Sequence, residues 1–65
     1  MKLTIKIDMD NAAFHEQPEQ GAEVTRILTK LAGELEGYIF KELPQGGFLH
    51  DANGNFCGAW RVTGK

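Results

Sequence analysis

"FLHDANGNFCGAWRV", residues 48–62, decides the fold. Two apolar runs flank a polar centre made of turn-forming residues. Such a pattern is a β-hairpin. The register depends on the turn. A two-residue loop at Asn53-Gly54 sets His50 opposite Cys57. A type I turn over "DANG", with Gly54 in the left-handed bulge position, pairs Asp51 with Asn55 and His50 with Phe56. Asp at the first turn position and Gly at the fourth favour the second arrangement. It sorts Phe48, His50, Phe56, Trp60 and Val62 to one face and Leu49, Asp51, Cys57, Ala59 and Arg61 to the other.

The rest of the chain supplies what covers this hairpin. "KLTIKIDM", residues 2–9, alternates strictly, with Leu3, Ile5, Ile7 and Met9 on one side and Lys2, Thr4, Lys6 and Asp8 on the other. This is a strand with one wet face. "DNAAF" then breaks the period, and "HEQPEQG", residues 15–21, is a loop or the approach to a helix. From about Glu19 to Glu36, Val24, Ile27, Leu28, Leu31, Ala32 and Leu35 form the stripe of a one-sided amphipathic helix. Glu19 and Glu23 suit the dipole at its start. Gly37 is a candidate C-terminal cap. Gly33 lies inside the helix, where glycine weakens it by about 1 kcal/mol relative to alanine. A close approach to the sheet is one reason for a glycine there. Pro44 and Gly46-Gly47 mark a turn before the hairpin.

The expected fold is α+β: a single small domain over residues 1–65 with element order β-α-β-β. One helix packs on one face of a three-stranded antiparallel sheet. "FCGAWRV" is apolar on both faces, as a central strand is, so the expected spatial order is one-three-two. The expected core is Ile5, Ile7, Val24, Ile27, Leu28, Leu31, Leu35, Phe56 and Trp60.

Composition excludes several classes. The 65 residues carry a formal net charge of −2, which disfavours general polyanion binding through many phosphate contacts. Cys57 is the only cysteine, so no disulfide forms within the chain, and a reducing, cytoplasmic compartment is expected. Met1 and Lys2 lead directly into the alternating segment, not into an apolar signal core. No apolar run approaches the length of a membrane span.

Candidate chemistry is sparse. Residues 8–14, "DMDNAAF", and 50–57, "HDANGNFC", have the look of acidic metal loops. Measured against a calcium-binding loop, the first fails at Ala12 and Ala13, and the second at Phe56 and Val62. Asp and Asn at a strand end bond their own backbone and stop the ladder instead. His15, His50 and Cys57 are candidate metal ligands or a thiol–imidazole pair. The register sets His50 and Cys57 on opposite faces, and a lone strand cysteine is ordinarily a small buried hydrophobe. No catalytic residue, metal ligand set or cofactor site is expected, and so no enzyme.

Interaction surfaces remain. The hairpin is apolar on both faces and one helix covers one. Together with Tyr38, Ile39 and Phe40 this leaves excess apolar surface, which points either to a protein partner or a homodimer or, equally, to residues 38–45 folding back over the second face. The expected contact residues are Tyr38, Phe40, Phe48 and whichever of Leu49 or Trp60 lies on the uncovered face. The alternative is a small basic stripe of Lys2, Lys6 and Arg61 that binds nucleic acid. Its bland counterpart is a solvated strand face whose lysines discourage edge pairing.

"MKLTIKIDMDNAAF", "EVTRILTKLAGELEG" and "LHDANGNFCG" together resemble a group of short phage and prophage proteins of uncharacterised function. Glu23, Arg26, Ile27, Leu28 and Leu31 match the group's helix motif. Asp51, Asn53, Gly54, Asn55 and Gly58 match its turn. The resemblance covers most of the chain outside residues 38–47 and implies an origin, not a chemistry. By analogy, small phage accessory proteins bind a host protein or nucleic-acid machine. The expected function is therefore a protein-binding module that inhibits or modulates a host system, with nucleic-acid binding as the alternative.

Overall fold

The computed structural model describes residues 1–15 and 20–64, with the side chain of Gln20 left out. Residues 16–19 and 65 lie outside this account, including Glu19 at the expected start of the helix. Strand β1 spans Lys2–Ile7, helix α1 Gln20–Leu35, strand β2 Gln45–His50 and strand β3 Phe56–Thr63, with one 3-10 turn over Ala12–Phe14 between β1 and α1. The three strands form one antiparallel sheet in the order β1-β3-β2. The α+β fold and the strand order match the expectation from sequence.

The turn has the expected chemistry. The Asp51 N–H donates to the Asn55 carbonyl at 2.9 Å and the Gly54 N–H to the Asp51 carbonyl at 3.0 Å. Gly54 has φ 83, a backbone region that glycine enters without steric cost. His50 pairs with Phe56 as expected, but Leu49 pairs with Gly58, so Cys57 is an extra residue in β3. Such a bulge re-phases the alternation of the strand beyond it. Trp60 and Val62 therefore leave the face of Phe48, His50 and Phe56 and turn toward α1. Ala59 and Arg61 take the opposite, open face.

The core sits between α1 and the inner sheet face, built from Phe14, Ile27, Leu31, Leu49, Cys57, Trp60 and Val62, with Ile7, Val24, Leu35, Phe40 and Leu43 packed at its margin. Phe14 is an addition to the expected core, and Cys57 is the small buried hydrophobe that a lone strand cysteine is expected to be. The 3-10 turn after β1 drops Phe14 into the core, and Cys57 keeps the face of Leu49, to which the bulge adds Trp60 and Val62. Three residues of the expected core are exposed: Ile5, Leu28 and Phe56. Phe56 is on the wrong side of the bulge. Ile5 lies on an edge strand that the helix does not fully cover.

Three glycine expectations change. Gly46 and Gly47 belong to β2, opposite Arg61 and Trp60, and do not form a turn before it. A Cβ at Gly47 would lie 2.6 Å from Trp60 Nε1, so the missing side chain is what lets the indole lie across its neighbour. Gly37 keeps φ negative and is no left-handed cap; α1 ends instead with the Tyr38 N–H bonded to the Leu35 carbonyl at 3.0 Å. Gly33 faces open space, so no close approach explains it.

Candidate functional site

Two places in the fold concentrate polar or unusual surface. The first is the junction of the two acidic stretches. Asn11 Nδ2 donates to Asp51 Oδ2 at 3.1 Å and to the Phe56 carbonyl at 3.2 Å, stitching the segment after β1 to the hairpin turn. Asp51 is buried, and its Oδ1 accepts the N–H groups of Asn53 and Asn55, each at 2.9 Å. Burial raises the Asp51 pKa, but the Asn55 and Asn53 N–H groups, the Asn11 amide and the Arg26 charge together outweigh it and hold it below the ordinary 3.8.

Glu23 completes this junction from the helix. Its carboxylate is fully buried. It accepts from Arg26 Nε at 2.7 Å, from Arg26 Nη2 at 3.3 Å and from the Ala52 N–H at 2.7 Å. Chiefly the Arg26 hydrogen bonds, then the Ala52 N–H, hold the Glu23 pKa below the ordinary 4.5 against the effect of burial. Arg26 Nη2 also reaches the His50 carbonyl at 3.4 Å. The Glu23 carboxylate and both Asp51 oxygens are engaged by donors of the chain itself, so the junction is a brace and not a ligand cage. At the other acidic stretch, Asp8 Oδ1 accepts the Asp10 N–H at 3.0 Å. A hydrogen bond shared with Asp8, and then its negative charge, raise the Asp10 pKa. Among the described residues no three His, Cys, Asp or Glu side chains come together as a metal site. Burial first, then the charges of Asp51 and Glu23, push the Cys57 thiol above its ordinary 9.0. A thiol in that setting is a poor nucleophile.

The second place is the open face of the sheet. Pairing places Lys6, Ala59 and Phe48 in one row across the three strands, with Thr4, Arg61 and Gly46 in the next. Lys2 and Thr63 extend the face at one end, His50 and Phe56 at the other. Phe48 is 74% exposed and Phe56 60% exposed. Their rings meet edge to face with centroids 5.6 Å apart, and His50 lies edge-on to Phe56 at 6.4 Å. None of the open-face positions of the three strands is Asp or Glu. Shallow depressions flank Arg61, one toward Thr4 and Lys6, the other toward Gly46, Gly47 and Phe48.

The expected site residues are thus redistributed. Leu49 and Trp60 are each only 6% exposed, so neither lies on the uncovered face. Tyr38 packs edge-on against Trp60 at 5.7 Å and against Phe40 at 5.9 Å. Tyr38 and Phe40 close one end of the core, although Tyr38 keeps about half its surface in water. Phe48 joins Lys2, Lys6 and Arg61, which the sequence reading had assigned to a different surface. Phe56 and His50 are additions that sequence reasoning missed as surface residues. The Cys57-Gly58 pair beside the turn permits a bulge there but does not specify one.

Comparisons with protein-family models, with curated proteins and with solved structures match nothing to this chain. Among the described residues, no helix is long and apolar enough to cross a membrane.

Proposed function

We propose that this chain is a non-catalytic, cytoplasmic binding module of phage type whose open sheet face takes single-stranded nucleic acid. The observation that carries this reading is the sorting of side chains on that face. Two exposed aromatic rings share it with Lys2, Lys6 and Arg61, and no strand carboxylate interrupts them. Single strands are held in this way, by bases stacked on aromatic side chains and a backbone tracked by cations. The spacing is suitable. Phe48 and Lys6 are two strands apart, about 10 Å, so a base on Phe48 leaves its phosphates over Arg61 and Lys6. The net charge of −2 is no obstacle, because within the three strands this face carries no carboxylate and only Asp8 stands at its margin, beyond the end of β1.

The test is fluorescence anisotropy of a labelled oligothymidylate. Three phosphate contacts give a slope of about −2 for log K against log salt, at about −0.7 per contact on single strands. Between about 50 and 200 mM salt the affinity then falls roughly twentyfold. Replacing both Phe48 and Phe56 by alanine weakens binding at least about tenfold, since each stacked base contributes about 1–3 kcal/mol. Absence of binding at about 100 µM chain in the lower salt, where even non-specific binders register, refutes the reading.

A protein partner is the second reading, in keeping with an inhibitor or modulator of a host system. It is favoured by apolar side chains exposed away from the open face, among them Leu3, Ile5, Met9, Leu28 and Ile39.

A further inference from the structure

The apolar surface along β1 indicates what covers it. In the order β1-β3-β2, the outer edge of β1 has no neighbouring strand among the described residues. The Asp8 N–H donates to the Cys57 carbonyl at 2.6 Å, which fixes the parity of the strand. Even-numbered residues turn their backbone groups to β3, and the N–H and C=O groups of Leu3, Ile5 and Ile7 point outward. On the helix side of the same strand, Leu3 is 49% exposed and Ile5 37% exposed. Leu3 lines an apolar trough with Met1, Leu35, Phe40 and Val62. A strand edge with free hydrogen-bonding groups and an uncovered apolar row is a template for another strand.

We propose that the occupant is β1 of a second copy of this chain, paired antiparallel about a two-fold axis at Ile5. This inference rests on the second reading above, that a protein covers the apolar surface, and names that protein. Parity restricts the two-fold registers to a few. Centring on Thr4 sets Lys2 opposite Lys6 of the partner subunit, and centring on Lys6 sets that lysine opposite its own copy. Like charges directly opposite destabilise a pair. Centring on Ile5 sets Ile5 against its own copy, Leu3 against the partner's Ile7, Thr4 against the partner's Lys6 and Lys2 against the partner's Asp8. The apolar row is then self-complementary, as a two-fold contact requires, and both ends carry opposite charges. The product is a six-stranded sheet with both helices on one side. Its open face is continuous, with the lysines of both copies at its centre between two Phe48/Phe56 pairs.

Sedimentation equilibrium of the full chain over a wide concentration range tests this. The expected result is a monomer–dimer equilibrium. Lys2→Asp sets two aspartates opposite each other at both ends of the interface and weakens the dimer at least about tenfold. Adding Asp8→Lys restores the opposite charges in reversed order and recovers the wild-type constant. Both positions are exposed, and circular dichroism checks that each variant is folded. Ile5→Pro, which removes an outward N–H at the axis, gives a monomer. A chain that stays monomeric at the highest concentration, as expected if Lys2 and Lys6 only protect the edge, overturns the proposal. So does a dimer that Lys2→Asp leaves unchanged. Failure to bind oligonucleotide leaves this result standing, so the two readings fail separately.

Discussion

Removal of the Glu23 carboxylate is the sharpest test of what holds the helix to the hairpin. In Glu23→Ala the Ala52 N–H loses its acceptor at 2.7 Å, and a part-buried donor on an exposed turn residue left without its partner costs about 1 kcal/mol, the low end for an unsatisfied donor. The one methylene lost with the carboxylate, fully buried here, adds about 0.8 kcal/mol. Arg26 is 42% exposed and turns to water, so its lost ion pair adds little. The sum is about 2 kcal/mol, which lowers Tm by about 8–16 °C in a domain this small. Glu23→Gln keeps the volume and an acceptor for the Ala52 N–H but loses the charge, and its loss is smaller. That variant also tests the pH dependence. The folded Glu23 pKa lies below the ordinary 4.5. Its contribution is therefore complete above the unfolded pKa and is lost as pH falls through the folded one. The acid limb of the stability profile should become shallower in Glu23→Gln, though not flat, because the depressed Asp51 remains. Thermal melts followed by circular dichroism from neutral pH downward measure both effects. A Glu23→Ala variant melting within about 3 °C of wild type, under 1 kcal/mol, would refute the brace.

Three further outcomes follow from the same geometry. Gly33→Ala should stabilise the chain by about 1 kcal/mol, because a Cβ there meets nothing within 4 Å and the helix gains a better former; an unchanged or lower Tm counts against an exposed helical site. Leu31→Ala should cost about 2–5 kcal/mol in a denaturant titration, since Leu31 is buried in the core. Phe48→Ala with Phe56→Ala should leave the melting transition nearly unchanged, because both rings lie outside the core; a large destabilisation would place them in it.

Local signals in the sequence carry most of the architecture. The alternation of residues 2–9, the helical stripe and the Asp-Ala-Asn-Gly turn each have a short-range cause, and each element forms where expected. The strand order follows from the two-sided apolar character of residues 56–62. The bulge at Cys57 was not legible, because a single extra residue is set by pairing with β2 and leaves no period of its own. It decides everything at the site: it buries Leu49 and Trp60 together and brings Phe48 to the face of Lys6 and Arg61. Glu23 lies four residues before Ile27 and eight before Leu31, so its place on the buried stripe was visible. Its partner, the Ala52 N–H, was not, because that contact joins residues 29 apart. The "YIF" segment belongs to no regular element, and its position comes from contacts that carry no sequence period: Tyr38 on Trp60 and Phe40 at the core margin.

The central claim, that the open sheet face is the working surface, is tested most directly by titrating isotope-labelled chain with an oligothymidylate and following backbone amide shifts by NMR. The account predicts shifts concentrated at Thr4, Lys6, Phe48, His50, Phe56, Ala59 and Arg61, saturating together and reversing with salt. Shifts centred on the exposed side of α1, or none at all while the labelled strand stays free, would contradict it.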